Sequence, residues 1–386
     1  VAGGALGAFA SVDVFFFYIF HELALIPTFL LIGIWGHGDK RAAAWKITIY
    51  LAIGSIVLLA GLLALYFSLP EGGRTFSMAK LLDPAAVAVP AAEQGPVFLL
   101  LLIGCGILVS LFPFHTWAPS AYACAPTPVA MLHAGVLKKF GLYGLLRLAL
   151  PLLPEGVQQY HDLILVLLIG NIVYVGLATI AQKSLDLMLG YSSVMHMGYA
   201  FLGIAALNEI GLSGAALMLF AHGLTIAALF AVCGELRRRT ATTEFSELGG
   251  LARQAPFLGL AFGMAAFASI GLPGFAGFPA EIMIFFGAFA GGVTGGVAGD
   301  ALNQIQIATI IVLSGLVISA IYMLRAYRAV FMGELAERCA SATDAALRVR
   351  LPLVLLLAAL LAVGFQPSLL TNLLAQPIQN LVAAMN

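Results

Sequence analysis

The sequence predicts an all-α polytopic membrane protein, arranged as an inverted repeat of two five-helix units with two broken helices. Three observations predict it. Of 386 residues, 62% are hydrophobic and only 9% charged, with a mean hydropathy of +1.04, far from the balance of a soluble domain. Apolar residues come in unbroken runs of roughly 20, the length of a membrane-crossing helix, and do not alternate as barrel strands do. Two stretches dense in Gly and Pro, near 113–128 and 269–281, interrupt those runs at corresponding places in the two halves. Paired breaks of this kind, each beside an ionisable residue, are the mark of inverted-repeat transporters.

The chain opens with VAGGALGAFA, which lacks a basic n-region and so does not read as a signal peptide. It is expected to be the tail of a span in a longer protein. Ten full spans follow at 13–35, 45–68, 96–112, 128–152, 160–182, 187–207, 210–236, 256–291 (interrupted), 303–327 and 351–370. Basic residues check that count, because they concentrate in cytoplasmic loops. With the first full span ending inside, the inner loops carry Lys40, Arg41, Lys46, Lys183, Arg237, Arg238, Arg239, Arg253, Arg325, Arg328, Arg338, Arg348 and Arg350, and the outer loops keep Arg74 and Lys80. One missed helix would scramble this asymmetry. The outer loop 69–94 is expected to hold a short surface helix around Phe76 to Leu82. The tail after Pro367 is weakly amphipathic, suited to the membrane surface or to a neighbour. Organisation is therefore read as 1–152 for the first unit, 160–327 for the second with its break near 271–280, and 328–386 for an inner loop, the last span and the tail.

The breaks need covering. Pro113, Pro119, Pro126 and Pro128 cannot share one regular helix, and irregular backbone at membrane depth is tolerated only against protein or a watery cavity. Ionisable residues at that depth are rare and mark ion paths. Glu22 has apolar neighbours for about ten positions on each side, where a charge costs roughly 2.5–3.5 kcal/mol on insertion scales. It should face a partner or water; a structural ion pair is the plainer alternative. His21 points about 100° away on a helix and need not meet it. Lys138 and Lys139 diverge by the same angle, so one of them is expected to face the interior fully. His133, His196 and His222 are further proton-path candidates, since imidazole titrates near neutrality. His115, inside the first break, reads as a satisfied core residue. Glu281 directly follows the second break, at the start of a half-helix whose positive dipole end favours a carboxylate.

The net charge of zero argues against a nucleic-acid partner. Cys105, Cys124, Cys233 and Cys339 have no C-x-x-C spacing and read as packing residues, so no metal or cofactor site is expected on this chain.

The phrases HELALIPTFLLIGIWG, PFHTWAPSAYACAPTPV, HAGVLKKFGLYGLLR, YSSVMHMGYAFLGI, FAHGLTIAALF and SIGLPGFAGFPAEIMIFFGAF resemble the antiporter-like subunits of complex I, above all subunit M of bacterial NADH:quinone oxidoreductase. The resemblance implies a longer, fourteen-helix protein of which this chain lacks the first three helices. It implies proton translocation driven by quinone reduction elsewhere, with NADH, FMN, iron–sulfur clusters and quinone on partner subunits. Neighbouring antiporter-like membrane subunits would be its partners and the bacterial inner membrane its place. Glu22 matches the family's fifth-helix glutamate, Lys139 its central eighth-helix lysine, His222 its eleventh-helix histidine and Glu281 the twelfth-helix glutamate at which protons are thought to leave. His133 sits where the related subunit L carries a histidine.

The chain also departs from that pattern. Leu108 stands where the family has the seventh-helix lysine that pairs with the glutamate at position 22, so Glu22 is expected to find another partner, His133 or a water chain toward Lys139. Ser120 replaces an aspartate, and Lys183 and Asp186 stand in KSLDLMLGYSS where D-x-K-R is usual. Two rival readings stay open: a subunit of a multisubunit cation/proton antiporter, and a structural subunit that no longer conducts.

Overall fold

The computed structural model describes residues 1–83, 88–291 and 302–385. Residues 84–87 of the expected outer loop and 292–301 of the expected second unit lie outside them. The first part of the chain holds α1 (Ala2–Ala10), α2 (Val14–Trp35), α3 (Lys40–Ser68), the short α4 (Met78–Leu81), α5 (Ala91–Val109) and α6 (Trp117–Cys124). One further crossing is assembled from α7 (Thr127–Gly135), a 3-10 turn (Leu137–Lys139), α8 (Phe140–Gly144), a π turn (Leu145–Ala149) and α9 (Leu150–Leu152). After α10 (Pro154–Gln159) come α11 (His161–Ile169) and α12 (Val175–Ile180), joined by a π turn, then α13 (Leu185–Ala205), α14 (Glu209–Thr240), α15 (Pro256–Ile270), α16 (Gly277–Phe289) and α17 (Gln304–Phe331). The chain finishes with α18 (Leu347–Phe365) and α19 (Ser368–Met385).

Among the described residues nine helical stretches are long and apolar enough to cross a bilayer, and α15 with α16 makes the broken tenth. Boundaries follow from the residues there. Asp13 caps α2 by accepting from the Phe15 and Phe16 amides, Asn208 caps α14 through the Gly211 amide, and Asn303 with Gln306 forms a capping box on α17. Pro128, Pro154 and Pro256 sit in first turns, where a missing N–H costs nothing.

Both expected breaks are present. The first falls between α5 and α6, where Ser110 takes a left-handed φ of 65°. The second falls between α15 and α16, where Gly271 has φ 79°. Across the two units α7 packs on α14 and α6 packs on α13. Gly135 and Gly223 permit the α7–α14 approach: a Cβ on Gly223 would lie 2.8 Å from the Gly135 carbonyl oxygen. The outward faces of α2 and α3, with Ile26 65% and Ile56 66% exposed, suit hydrocarbon.

Two peripheral expectations change. Only Met78–Leu81 of the supposed surface helix is α-helical, held against α2 by the Val14 amide donating to Phe76 O at 2.9 Å. The amphipathic tail, read as suited to the membrane surface or to a neighbour, packs on α9 and α14 of its own chain.

Candidate functional site

The first break is fixed by a residue the sequence did not single out. Asn171, fully buried in the π turn of the fifth crossing, accepts from the Phe112 amide at 2.6 Å and donates to Val194 O at 3.1 Å. A lone amide in LVLLIGNIVYV was the available signal. Trp117 ties α6 back to α5 by donating to Ile107 O at 3.1 Å. His115 is buried at the same break, with its ring against Phe112 and Tyr174.

Farther along, α7 stops at Gly135, Val136 leaves helical geometry (φ −127°, ψ −62°), and the 3-10 turn presents both lysines to the interior. Lys138 is 1% exposed and Lys139 3%, which corrects the expectation that one alone would face inward. The regular-helix angle did not apply, because the helix is interrupted there. Lys139 Nζ donates to Ala134 O and lies 3.0 Å from His222 Nδ1 on α14. Lys138 Nζ reaches Ser193 Oγ on α13 at 3.2 Å.

From His222 the row continues to His196, whose ring centroid lies 5.5 Å away. His196 bridges two carbonyl oxygens, Ser192 O at 2.8 Å and Ser269 O at 2.9 Å. A neutral imidazole has one N–H, so both carbonyls are served together only by the imidazolium. When the ring is neutral and donates to Ser192 O, the Ser269 hydroxyl, 3.4 Å from Nε2, is placed to donate in its stead. Either charge state of His196 therefore finds partners. Ser269 belongs to the last turn of α15, so the histidine row runs straight into the second break.

Glu281 waits on the other side of that break. It is 5% exposed, its carboxylate lies against Gly271, and it is within electrostatic reach of Tyr199 and Tyr322. Among the described residues no basic group comes within ion-pair distance of it. The helix-start expectation needs correction: Glu281 is the fifth residue of α16, a full turn inside, so the gap it faces comes from Gly271 and not from the first-turn amides.

Glu22 is built differently. Its carboxylate accepts from Ser55 Oγ, which also contacts Tyr18, and His21 Nδ1 lies 3.6 Å away. The pairing with His21, which helical angles left open, is thus present, and His133 is not among its contacts. With 36% of its side chain exposed, Glu22 lines a cavity of about 240 Å³ formed by α2 and α3. His133 contacts Tyr122 instead, Nδ1 to Oη at 3.3 Å. Leu108 is buried at 3% within the apolar core.

A bundle of crossing helices with two unwound joints and an internal row of Lys, His and Glu defines a polytopic ion-translocating membrane subunit. The particular family is equally plain: the chain belongs to the NADH:quinone oxidoreductase/Mrp antiporter membrane family, whose model matches residues 11–302. It is 37% identical over 378 residues to the NAD(P)H-quinone oxidoreductase chain 4 of Gloeobacter violaceus, covering 96% of this chain and 69% of that one. It is 34% identical over 331 residues to the NADH-quinone oxidoreductase subunit M of Rickettsia prowazekii, covering 86% and 64%. A chain of respiratory complex I from Thermus thermophilus matches with a TM-score of 0.88 and 29% identity over 99% of this chain and 78% of its own. The Mrp complex of Dietzia shares the fold, with a TM-score of 0.84 at 21% identity.

Proposed function

We propose that this chain carries protons as a membrane subunit of a respiratory NADH:quinone oxidoreductase in a bacterial inner membrane, using Lys139, His222, His196 and Glu281 as its path and Glu22 as a carboxylate at the other end. The observation that carries the reading is the run of polar groups from Lys139 Nζ, 3.0 Å from His222 Nδ1, past His196, whose ring centroid lies 5.5 Å from that of His222, to the Ser269 carbonyl just before the joint where Glu281 lies against Gly271. Lys139, His222, His196 and Glu281 are groups that gain and lose protons, and among the described residues none of these four is paired to an opposite charge that would freeze it. Electron transfer from NADH through FMN and iron–sulfur clusters to quinone belongs to partner subunits, and neighbouring antiporter-like subunits flank this one.

Lys139→Ala in the intact complex, reconstituted in vesicles, tests the reading. Redox-driven proton transfer through this subunit should be lost while the complex still assembles; transfer at the wild-type rate rejects the assignment. Sodium-dependent proton movement without any quinone-linked partner would select the cation/proton antiporter instead.

A further inference from the structure

Lys138 has no place in the row just described, yet it is more deeply buried than Lys139. Its ammonium lies 5.9 Å from the centroid of the Tyr122 ring and 3.2 Å from Ser193 Oγ, with no carboxylate at ion-pair distance among the described residues. Tyr122, itself buried, contacts His133 Nδ1 at 3.3 Å. The other ring nitrogen of His133, Nε2, is buried and meets no hydrogen-bonding protein atom among the described residues. A buried nitrogen in that position calls for water. His133 is within electrostatic reach of Lys138, Lys139 and His21, the neighbour of Glu22. These groups make a second polar cluster at the 3-10 turn, separate from the Lys139–His222 contact, in which Tyr122 of α6 and His133 of α7 meet Lys138 together with Ser193 of α13.

We propose that Lys138 is a second proton-carrying site, joined through Tyr122 and His133 to the Glu22 side, and that Lys138 and Lys139 together form the handover between the two units. The inference rests on the proposed function above. In the handover a proton leaves one Nζ and is taken up by the other, so the charge of the pair is unchanged. Two adjacent buried amines suit this, since a proton on one raises the cost of protonating its neighbour. The plain packing role is disfavoured by desolvation: Leu or Met would fill the same space without the cost of stripping water from an ammonium.

The test uses Lys138→Met and Lys138→Arg in the intact complex, with redox-driven proton uptake into vesicles as the readout and native-gel assembly as the control. Loss of uptake in both Lys138→Met and Lys138→Arg is expected, because thioether and guanidinium alike cannot hand a proton on, the guanidinium staying charged throughout. A packing role would leave uptake intact in Lys138→Met, which fits the pocket, and retention in Lys138→Arg would mark a fixed charge; either result overturns the inference. Wild-type uptake in Lys138→Met overturns the inference; if Lys139→Ala abolishes uptake in parallel, the parent reading survives that failure. His133→Gln keeps a polar side chain that cannot carry a proton, and gives an independent reading should Lys138→Met fail to assemble. Reduced uptake there supports the cluster, and uptake at the wild-type level rejects it.

Discussion

The two glutamates at membrane depth, Glu22 on α2 and Glu281 on α16, sit in opposite settings. Glu22 is about a third exposed, holds contacts from Ser55 and His21, and opens on a cavity between α2 and α3. Glu281 is buried, its carboxylate set against Gly271 and within electrostatic reach of the Tyr199 and Tyr322 phenols. Glu22 thus has hydrogen-bonding side chains on its carboxylate, whereas Glu281 has no basic group within ion-pair distance among the described residues. The missing cation at Leu108 belongs to this difference: Ser55, Tyr18 and His21 surround Glu22 where a lysine was expected.

The largest expected effect comes from closing the space at Glu281. Gly271→Ala forces a Cβ residue into φ 79° and pushes that Cβ into the carboxylate. The backbone alone costs about 1–3 kcal/mol, and redox-driven proton transfer should fall to background with a clear drop in thermal stability. A variant with normal transfer would show that Glu281 needs no glycine wall. The corresponding change at the other carboxylate is milder. Ser55→Ala removes one donor to a partly exposed Glu22, worth about 1 kcal/mol, and should lower the melting temperature slightly and slow transfer without abolishing it. An effect as large as that of Gly271→Ala would erase the contrast between the units.

The smallest effect concerns the inner loop before α3. His37 donates from Nε2 to Ala123 O at 2.6 Å, joining the α2–α3 loop to the end of α6. Burial, and then the nearby Arg237 cation, hold its pKa below the ordinary 6.5. The folded ring stays neutral where a free one would charge, so its contribution to stability is complete above about 6.5 and shrinks as pH falls below that. The protection factors of the amides at residues 36–39, corrected for the intrinsic exchange rate at each pH, should therefore fall in mild acid and stay level in mild alkali.

Much of this was legible in the sequence because membrane depth makes ionisable side chains and proline conspicuous. Glu22, Lys139, His222 and Glu281 stood out against apolar runs, and both joints were marked by Gly and Pro. What could not be read depends on local departures from helical geometry. The 3-10 turn after Val136 buries both lysines where a regular helix would have turned one away. Asn171 acts on the first joint from a different crossing, a contact that spacing along the chain does not reveal. The Ser269 carbonyl, 2.9 Å from His196 Nε2, is backbone and carries no residue-type signal at all.

The most direct test of the path is redox-driven proton release by the intact, assembled complex carrying Glu281→Gln, which keeps the shape and polarity of the side chain but cannot take up a proton. Release through this subunit should disappear while assembly and quinone reduction by the partner subunits persist. Release at the wild-type rate would contradict a route that ends at Glu281.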